Sequence, residues 1–268
     1  MLVGAASCMF AVIAYLLIKD FPSDVDKETH KTDGSKSDVG GIPQTKSKPE
    51  ATNKWKLLFN IMTNKFLCSV SLSYFLWTGV KQGVEDWLLV FLTDARTFTG
   101  YEASFSIACF QFGGIVCPLT AGVLSDLLVE KLSTKMRSSP RLLVILFCSV
   151  FVLPWLYLVH SSYVESRIVV NVACFMLGLC CYGPHILYGL LVIENSPAAV
   201  SGTVHGLSAT VSTVGSVLSG YPLSRLIDQH GWNGMFTVLA VVAVLNSLLL
   251  VLSLTFDCKM DQGEKKDQ

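Results

Sequence analysis

The sequence predicts an all-α integral membrane protein with about seven membrane-spanning helices. Hydrophobic residues make up 51 % of its 268 residues and only 15 % are charged. The mean hydropathy of +0.53 lies far outside the range of soluble domains. The apolar residues gather into runs of about 20, which is the length at which a helix crosses a hydrocarbon core about 30 Å thick. The bilayer is therefore the predicted solvent of this chain.

Seven apolar runs account for the predicted helices, and the first of them is short. They lie near residues 1–18, 66–92, 103–126, 141–159, 168–193, 204–224 and 234–256. A secretory signal peptide would carry basic residues ahead of its apolar run, and none precede Leu2. We therefore interpret the first run as a spanning helix.

A long polar segment divides the chain into its predicted parts. Residues 19–54 are rich in Lys, Asp, Ser, Thr and Gly, so they bury too little apolar surface to offset the entropy of ordering and are predicted to form a disordered linker. This linker separates the helix at 1–18 from a predicted six-helix bundle at 55–256. Residues 257–268 form a polar tail.

The distribution of Lys and Arg predicts the orientation of the chain, because cytoplasmic loops retain positive charge. Sixteen of the 20 basic residues lie in the linker and its flank, in the loop near 127–141 and in the tail. Only Arg96, Arg167 and Arg225 lie in the alternate loops. The linker, that loop and the C-terminal tail are therefore predicted to be cytoplasmic, and Lys81 belongs to neither set.

Composition disfavours several classes of function. The net charge of zero argues against a nucleic-acid-binding protein, which would carry a basic excess. Eight of the nine cysteines lie inside apolar runs and no CxxC pair occurs, so we predict buried thiols, no metal site and no cofactor. A membrane enzyme would have to combine Asp86, His185 and His205 from separate runs, without a metal-binding motif such as HExxH. A seven-helix receptor fits the predicted topology, but its DRY and NPxxY hallmarks are absent.

Lys81 lies in the middle of the second apolar run, where a cation costs roughly 3 kcal/mol. At 1.5 Å per residue it is about 22 Å from Phe66 and about 16 Å from Leu92, too far for its ammonium to reach an interface. Glu85 at i+4 shares its helix face, whereas Asp86 turns aside. Two interpretations stay open: an internal ion pair, or an ammonium that binds an anionic substrate. In the second, Glu85 and Asp86 are candidate pathway or coupling residues that tune the ammonium or pair with it when the site is empty.

Four motifs carry a family resemblance, and they follow one another in register with the predicted helices. They are VKQGVEDW at Val80–Trp87, FQFGGIVCPLTAGVLSD at Phe110–Asp126, CYGPHILYG at Cys181–Gly189 and ENSPAAVSGTVHG at Glu194–Gly206. Together they resemble the organophosphate:phosphate antiporters of the Major Facilitator Superfamily, and most of all the branch that carries glucose 6-phosphate across the endoplasmic reticulum membrane.

The resemblance implies a twelve-helix exchanger in two halves, of which this chain is similar to helices six to twelve. The run at 1–18 would be the last helix of the N-terminal half, so we expect the chain to be truncated. In this family one basic residue from each half clamps the substrate phosphate, and Lys81 occupies the second position, where bacterial members usually carry Arg. The implied activity is exchange of a sugar phosphate for phosphate without a covalent step, coupled in the endoplasmic reticulum to a lumenal sugar phosphatase.

Two further segments acquire expected roles from the resemblance. The loop motif at Ala121–Asp126, with Gly122 and Asp126, would control rocking between the access states. Leu127 replaces the basic residue that usually follows the aspartate. The ionic contact that holds the loop would therefore be weaker or depend on Lys131. The alternative is an ordinary helix end whose basic residues complement the dipole.

The fifth apolar run contains Pro184, where a kink is tolerated only against protein or a cavity. Tyr182, His185 and Tyr188 of the same run, and His205 of the next, are candidates for the substrate pathway. For each of them packing inside the bundle is the alternative. Separately, Lys265 and Lys266 fit a dilysine signal that retrieves membrane proteins to the endoplasmic reticulum.

Overall fold

The computed structural model describes residues 64–132, 139–161, 166–197 and 200–255. Every described residue belongs to the compact unit Pro49–Gln268. The run at 1–18, the linker, Lys265 and Lys266 lie outside the described residues. Within the described ranges all regular structure is helical, which confirms the all-α prediction. The helices are α1 (Lys65–Asp94), α2 (Gly100–Leu132), α3 (Arg141–His160), α4 (Arg167–Glu194), α5 (Ser201–Ser219) and α6 (Tyr221–Ser253).

Four segments of the described chain are long and apolar enough to cross a membrane. They are Gly100–Lys131, Arg141–His160, Arg167–Glu194 and Ser201–Ser253, the last of which contains both α5 and α6. α1 is as long as its neighbours, but the polar stretch around Lys81 lowers its hydropathy. Such a helix is tolerated in a bilayer where its polar face packs against other helices.

The boundary between the last two predicted runs was wrong. Hydropathy predicted one run through residue 224, whereas α5 ends at Ser219 and a new helix begins at Tyr221. Gly220 has a non-helical ψ of −109°, and Pro222 stands in the first turn of α6, where a missing N–H costs nothing. α6 then bends at Gly231, whose φ of 66° favours glycine. Apolar periodicity does not register either of these backbone breaks.

α4 lies at the centre of the bundle and contacts α1, α2, α3 and α5. The tightest pairs are α2 with α4 and α1 with α5, and α6 packs against both α1 and α3. The core contains large, fully buried side chains such as Trp77, Phe91 and Tyr188. By contrast α2 presents many apolar side chains outward, including Phe112 and Leu119.

A buried polar network ties four helices together inside the apolar core. The Tyr188 hydroxyl of α4 lies 2.6 Å from Ser73 Oγ of α1, and Ser73 donates to Asn246 Oδ1 of α6 at 2.5 Å. Asn246 Nδ2 donates in turn to Ser149 Oγ of α3 at 3.0 Å. Because lipid offers no hydrogen bonds, such contacts between helices specify which faces meet.

Glycines allow α2 and α4 to approach until their backbones touch. A Cβ atom on Gly178 would lie 1.9 Å from the carbonyl oxygen of Phe110, and one on Gly113 would lie 2.1 Å from that of Phe175. These obstacles are backbone atoms of the facing helix, so a larger residue could be accommodated only by separating the helices. Small residues at helix interfaces serve this purpose in membranes.

We expect Gly178→Ala to lower thermal stability by about 1–3 kcal/mol, because the added methyl group forces α2 and α4 apart. Gly206→Ala is the matched control, since nothing lies within 4 Å of a Cβ at that position. It should be neutral or stabilising by about 0.5–1 kcal/mol through helix propensity. Unfolding of both variants in detergent, followed by circular dichroism, tests this. Equal stability of the two variants would contradict the close α2–α4 contact.

Candidate functional site

Lys81 lies near the middle of α1, on a helix face that it shares with Tyr74, Thr78 and Glu85. Its ammonium is 2.7 Å from Glu85 Oε2, and the two side chains are 12 % and 26 % exposed. The i,i+4 pair predicted from the sequence is therefore present. Among the described residues Glu85 is the only carboxylate within ion-pair distance of Lys81.

The ion pair is held by side chains from two other helices. Gln111 of α2 donates its Nε2–H to Glu85 Oε1 at 3.1 Å. The Tyr182 hydroxyl of α4 donates to Gln111 Oε1 at 2.8 Å, and the ring of Tyr182 lies under the Lys81 ammonium, 4.5 Å from it. We call Lys81, Glu85, Gln111 and Tyr182 the ammonium site. It combines one cation, one anion and an aromatic face contributed by three helices.

The Lys81 ammonium has hydrogen-bonding capacity beyond its contact with Glu85. An ammonium has three N–H donors, and only one contact to a carboxylate is present. The ring face of Tyr182 adds cation–π stabilisation to the ammonium. Glu85 by contrast has both oxygens engaged, one by Lys81 and one by Gln111. The free binding capacity of the site therefore belongs to its cation.

Asp86 points away from the ammonium site, as expected one residue after Glu85. It accepts a hydrogen bond from Gln82 Nε2 at 2.8 Å and one from Ser219 Oγ of α5 at 3.2 Å. The indole of Trp87 donates to the backbone oxygen of Ser219 at 2.8 Å. Asp86 and Trp87 thus join α1 to the end of α5.

Two of the candidate pathway residues pack around Tyr74 of α1. Tyr188 stacks on Tyr74 at 5.2 Å and is fully buried, with its hydroxyl in the polar core network, which favours the packing interpretation for Tyr188. His185 meets the Tyr74 ring edge-on at 5.2 Å, and its buried Nδ1 has no protein partner in the described part of the chain. It also lies within electrostatic range of Lys81 and Glu85.

His205 lies elsewhere, on the first part of α5. A Cβ on Gly189 of α4 would lie 2.9 Å from His205 Cε1, so this imidazole packs against the glycine. Within the described ranges, no contact links His205 to the ammonium site. Its Nδ1 is buried without a protein partner there.

A second charged cluster joins the ends of α2 and α4 to the start of α3. The Arg141 guanidinium contacts Glu194 through two hydrogen bonds of 2.7 Å, Asp126 at 2.8 Å and Ser125 Oγ at 2.5 Å. Arg141 is only 5 % exposed. We call Arg141, Asp126 and Glu194 the Arg141 cluster, and its bidentate pair is the strong form of an arginine–carboxylate contact.

The Arg141 cluster corrects one expectation. Asp126 pairs across helix ends as the loop motif suggested, but its partner is Arg141, and no Lys131 contact to it is present in the described part of the chain. Gly122 faces open space. Gln111, Arg141 and Glu194 are not predicted as site residues by the sequence. Gln111 and Glu194 stand inside the quoted motifs, whereas Arg141 was counted only as a loop charge.

Comparison with known proteins shows the family to which this chain belongs. A model of the Major Facilitator Superfamily matches residues 1–220. The chain is 29 % identical over 199 residues to a probable hexose phosphate transport protein of Chlamydia pneumoniae, which covers 73 % of this chain and 42 % of the relative. It is 28 % identical over 205 residues to the glycerol-3-phosphate transporter of Bacillus subtilis, covering 76 % and 44 %.

A relative named as a sensor has the same percentage identity to this chain. The membrane sensor protein UhpC of Salmonella typhimurium is 29 % identical over 197 residues, covering 71 % of this chain and 41 % of the relative. The chain thus spans less than half of the length of these curated relatives. The resemblance drawn from the four motifs is confirmed, and the chain belongs to the Major Facilitator Superfamily.

Proposed function

We propose that this chain forms the C-terminal half of a transporter that exchanges a sugar phosphate, glucose 6-phosphate, for inorganic phosphate across the endoplasmic reticulum membrane. The observation that carries the proposal is the ammonium of Lys81, which is held between helices where a cation is costly. A phosphate group is the ligand that both exchanged species share. One cation that binds this group would make them compete for the same site, as exchange requires.

Glu85 gives the empty site a stable state. With no substrate bound, its carboxylate neutralises Lys81 and is held by Gln111. An incoming phosphate carries more charge than a carboxylate and offers three acceptor oxygens, so it competes for the ammonium. Glu85 then becomes the group that recaptures Lys81 as phosphate leaves. Because the substrate is only bound and released, the proposed function includes no enzymatic step.

The Arg141 cluster would hold one of the two access states. Transporters of this kind rock their two halves around a site near the midplane, and ion pairs at helix ends must rearrange as the helices move. Arg141 is buried while both of its carboxylate partners are partly exposed. The cluster can therefore open toward water, which lowers the barrier to its release.

The proposed orientation and location of the protein rest on features of its sequence. The excess of Lys and Arg in alternate loops supports a cytoplasmic C-terminus, and Lys265 with Lys266 there supports retrieval to the endoplasmic reticulum. In that compartment a transporter of glucose 6-phosphate would supply a lumenal sugar phosphatase, and phosphate released by the phosphatase would drive the exchange.

A second candidate is a membrane sensor that binds a sugar phosphate without carrying it. The similarity to the sensor UhpC, equal in identity to that of the hexose phosphate transport protein, supports this alternative. Both functions use the ammonium site for binding. Only the transporter requires substrate to be released on the opposite side.

We expect Lys81→Ala to reduce phosphate-driven uptake of radiolabelled glucose 6-phosphate about 10- to 100-fold, because a charge-assisted contact to phosphate is lost. Uptake should be measured in vesicles with the chain alone and with the chain joined to an N-terminal six-helix half. Lys65→Ala, at the exposed start of the same helix, is the matched control. Binding without uptake in the joined protein would favour the sensor. Normal uptake with Ala at position 81 would leave Lys81 as a structural ion pair.

We expect Glu85→Gln to strengthen phosphate binding by about tenfold and to slow exchange, because the ammonium no longer has a competing carboxylate. Asp86→Asn is the control, since Asp86 contacts Gln82 and Ser219 instead. Titration calorimetry with phosphate and counterflow rates in vesicles measure the two effects. Identical behaviour of the two variants would argue against partner exchange at Lys81.

We expect Glu194→Gln to destabilise the protein by about 1–3 kcal/mol, since it weakens the bidentate pair and leaves a buried guanidinium with less charge compensation. Glu130→Gln, an exposed acid near the end of α2, should change stability little. Thermal unfolding gives the stability, and uptake rates show whether release of the cluster limits transport. A stable Glu194→Gln variant with unaltered uptake would refute the proposal that the Arg141 cluster holds one access state.

A further inference from the structure

The back of α1, opposite to Lys81, borders an apolar groove. Phe75, Gly79 and Val80 line it from α1, and α5 and α6 complete its walls, with Gly215 and Val238 among the lining residues. The volume of the groove is about 360 Å³. Ser219 contributes the only polar side chain, and its hydroxyl already bonds to Asp86 and to the backbone of Ser216. The groove therefore offers an apolar ligand no competing polar contact.

Two glycines leave the base of the groove without side chains. A Cβ on Gly215 would lie 2.3 Å from the carbonyl oxygen of Phe75, and a Cβ on Gly79 would lie 3.4 Å from that of Gly215. α1 and α5 thus meet through bare backbone at the base of the groove. A cavity lined in this way does not hold water well, and its walls are membrane helices, so the available occupant is a lipid chain.

The rim of the groove has a different character. Residues 221–230 form a ten-residue helical segment between the backbone breaks at Gly220 and Gly231. Leu223 and Leu226 line the groove, whereas Arg225 and Tyr221 occupy the adjacent exposed flank of this segment. Such an amphipathic segment is typical of helices at the membrane surface.

Arg225 at this rim is positioned to receive an anion. Its Nε donates to the Tyr221 hydroxyl at 2.7 Å, and its guanidinium lies 5.3 Å from the centre of the Tyr221 ring. Within the described ranges no carboxylate lies within ion-pair distance of Arg225. The tyrosine holds the side chain in place, and the remaining N–H groups of the guanidinium match the oxygens of a phosphate.

We propose that this groove binds one acyl chain of an anionic phospholipid whose headgroup phosphate is held by Arg225 and Tyr221. An apolar slot beside an exposed guanidinium matches an amphiphile with an anionic head, and phospholipids are the amphiphiles that surround a membrane helix. This binding site is distinct from the ammonium site, because the two lie on opposite faces of α1.

Lipid in the groove would touch the turn of α1 that carries Lys81. Gly79 and Val80 line the groove, and Lys81 is the next residue on the other face. A bound acyl chain would fill the space behind this turn and hold it against α4. Anionic lipid is therefore expected to raise the thermal stability of the protein as well as to bind.

The test uses the full chain in nanodiscs of phosphatidylcholine that contain a small fraction of photoactivatable lipid, with a diazirine on the acyl chain. Phosphatidylglycerol and phosphatidylcholine probes are compared, and crosslinked peptides are mapped by mass spectrometry. We expect crosslinks on the lining residues and about fivefold preference for the anionic probe, the effect of one arginine near a membrane surface.

Two pairs of variants separate the tail from the headgroup. Val238→Phe fills the groove and should reduce crosslinking about fivefold or more, since each displaced methylene weakens binding severalfold. Val241→Phe, on the same helix but outside the groove, is its control. Arg225→Gln should abolish the preference for the anionic probe, and Arg225→Lys should retain it.

Three results would overturn the proposal. They are equal crosslinking in the Val238→Phe and Val241→Phe variants, absence of crosslinks from the groove of the unmodified chain, and an anionic preference that survives Arg225→Gln. Unfolding curves of all variants establish that each is folded, and a folded Val241→Phe protein keeps the comparison interpretable. None of these readouts depends on transport activity.

Discussion

The ion pair between Lys81 and Glu85 is the interaction on which the arrangement of this bundle depends. A cation inside an apolar bundle needs a counter-charge, and Glu85 supplies it from the next turn of the same helix at 2.7 Å. A carboxylate between helices also needs hydrogen-bond donors, and Gln111 provides one. Gln111 is itself held by Tyr182. One costly charge thus ties α1 to α2 and α4 through a chain of polar contacts.

Those contacts are made possible by the absence of side chains nearby. Gly113 and Gly178 let the backbones of α2 and α4 touch. Gly114 leaves room for the ring of Tyr182, since a Cβ there would lie 2.6 Å from it. The close α2–α4 contact brings Tyr182 to Gln111, so glycines that bind nothing themselves determine the geometry of the ammonium site. The proposed exchange of partners at Lys81 relies on this close packing.

α1 therefore separates two environments. One face carries the ammonium site, and the opposite face meets α5 through glycine and borders the apolar groove. The polar face would carry the substrate contacts, while the glycine face packs closely against α5. This arrangement suits the helix that would hold substrate in a transporter. Under the two proposals, lipid behind α1 and phosphate in front of it would act on the same turn.

Features that follow from local spacing could be predicted from the sequence. The all-α membrane fold and most helix positions follow from apolar runs about 20 residues long. The pair of Lys81 with Glu85 follows from their i,i+4 separation, as does the different direction of Asp86. The four motifs were sufficient to indicate the family.

Contacts between residues distant in sequence depend on how the helices pack, and the sequence did not predict them. The resemblance implied that Asp126 has a weaker ionic contact or one with Lys131, whereas its partner is Arg141 at the start of the next helix, which also binds Glu194. Gln111 joined the ammonium site because glycines place α2 against α4. The breaks at Gly220 and Gly231 were missed because they are changes of backbone angle, to which hydropathy does not respond. In each case the deciding quantity is a distance between helices or a backbone dihedral, and a one-dimensional pattern contains neither.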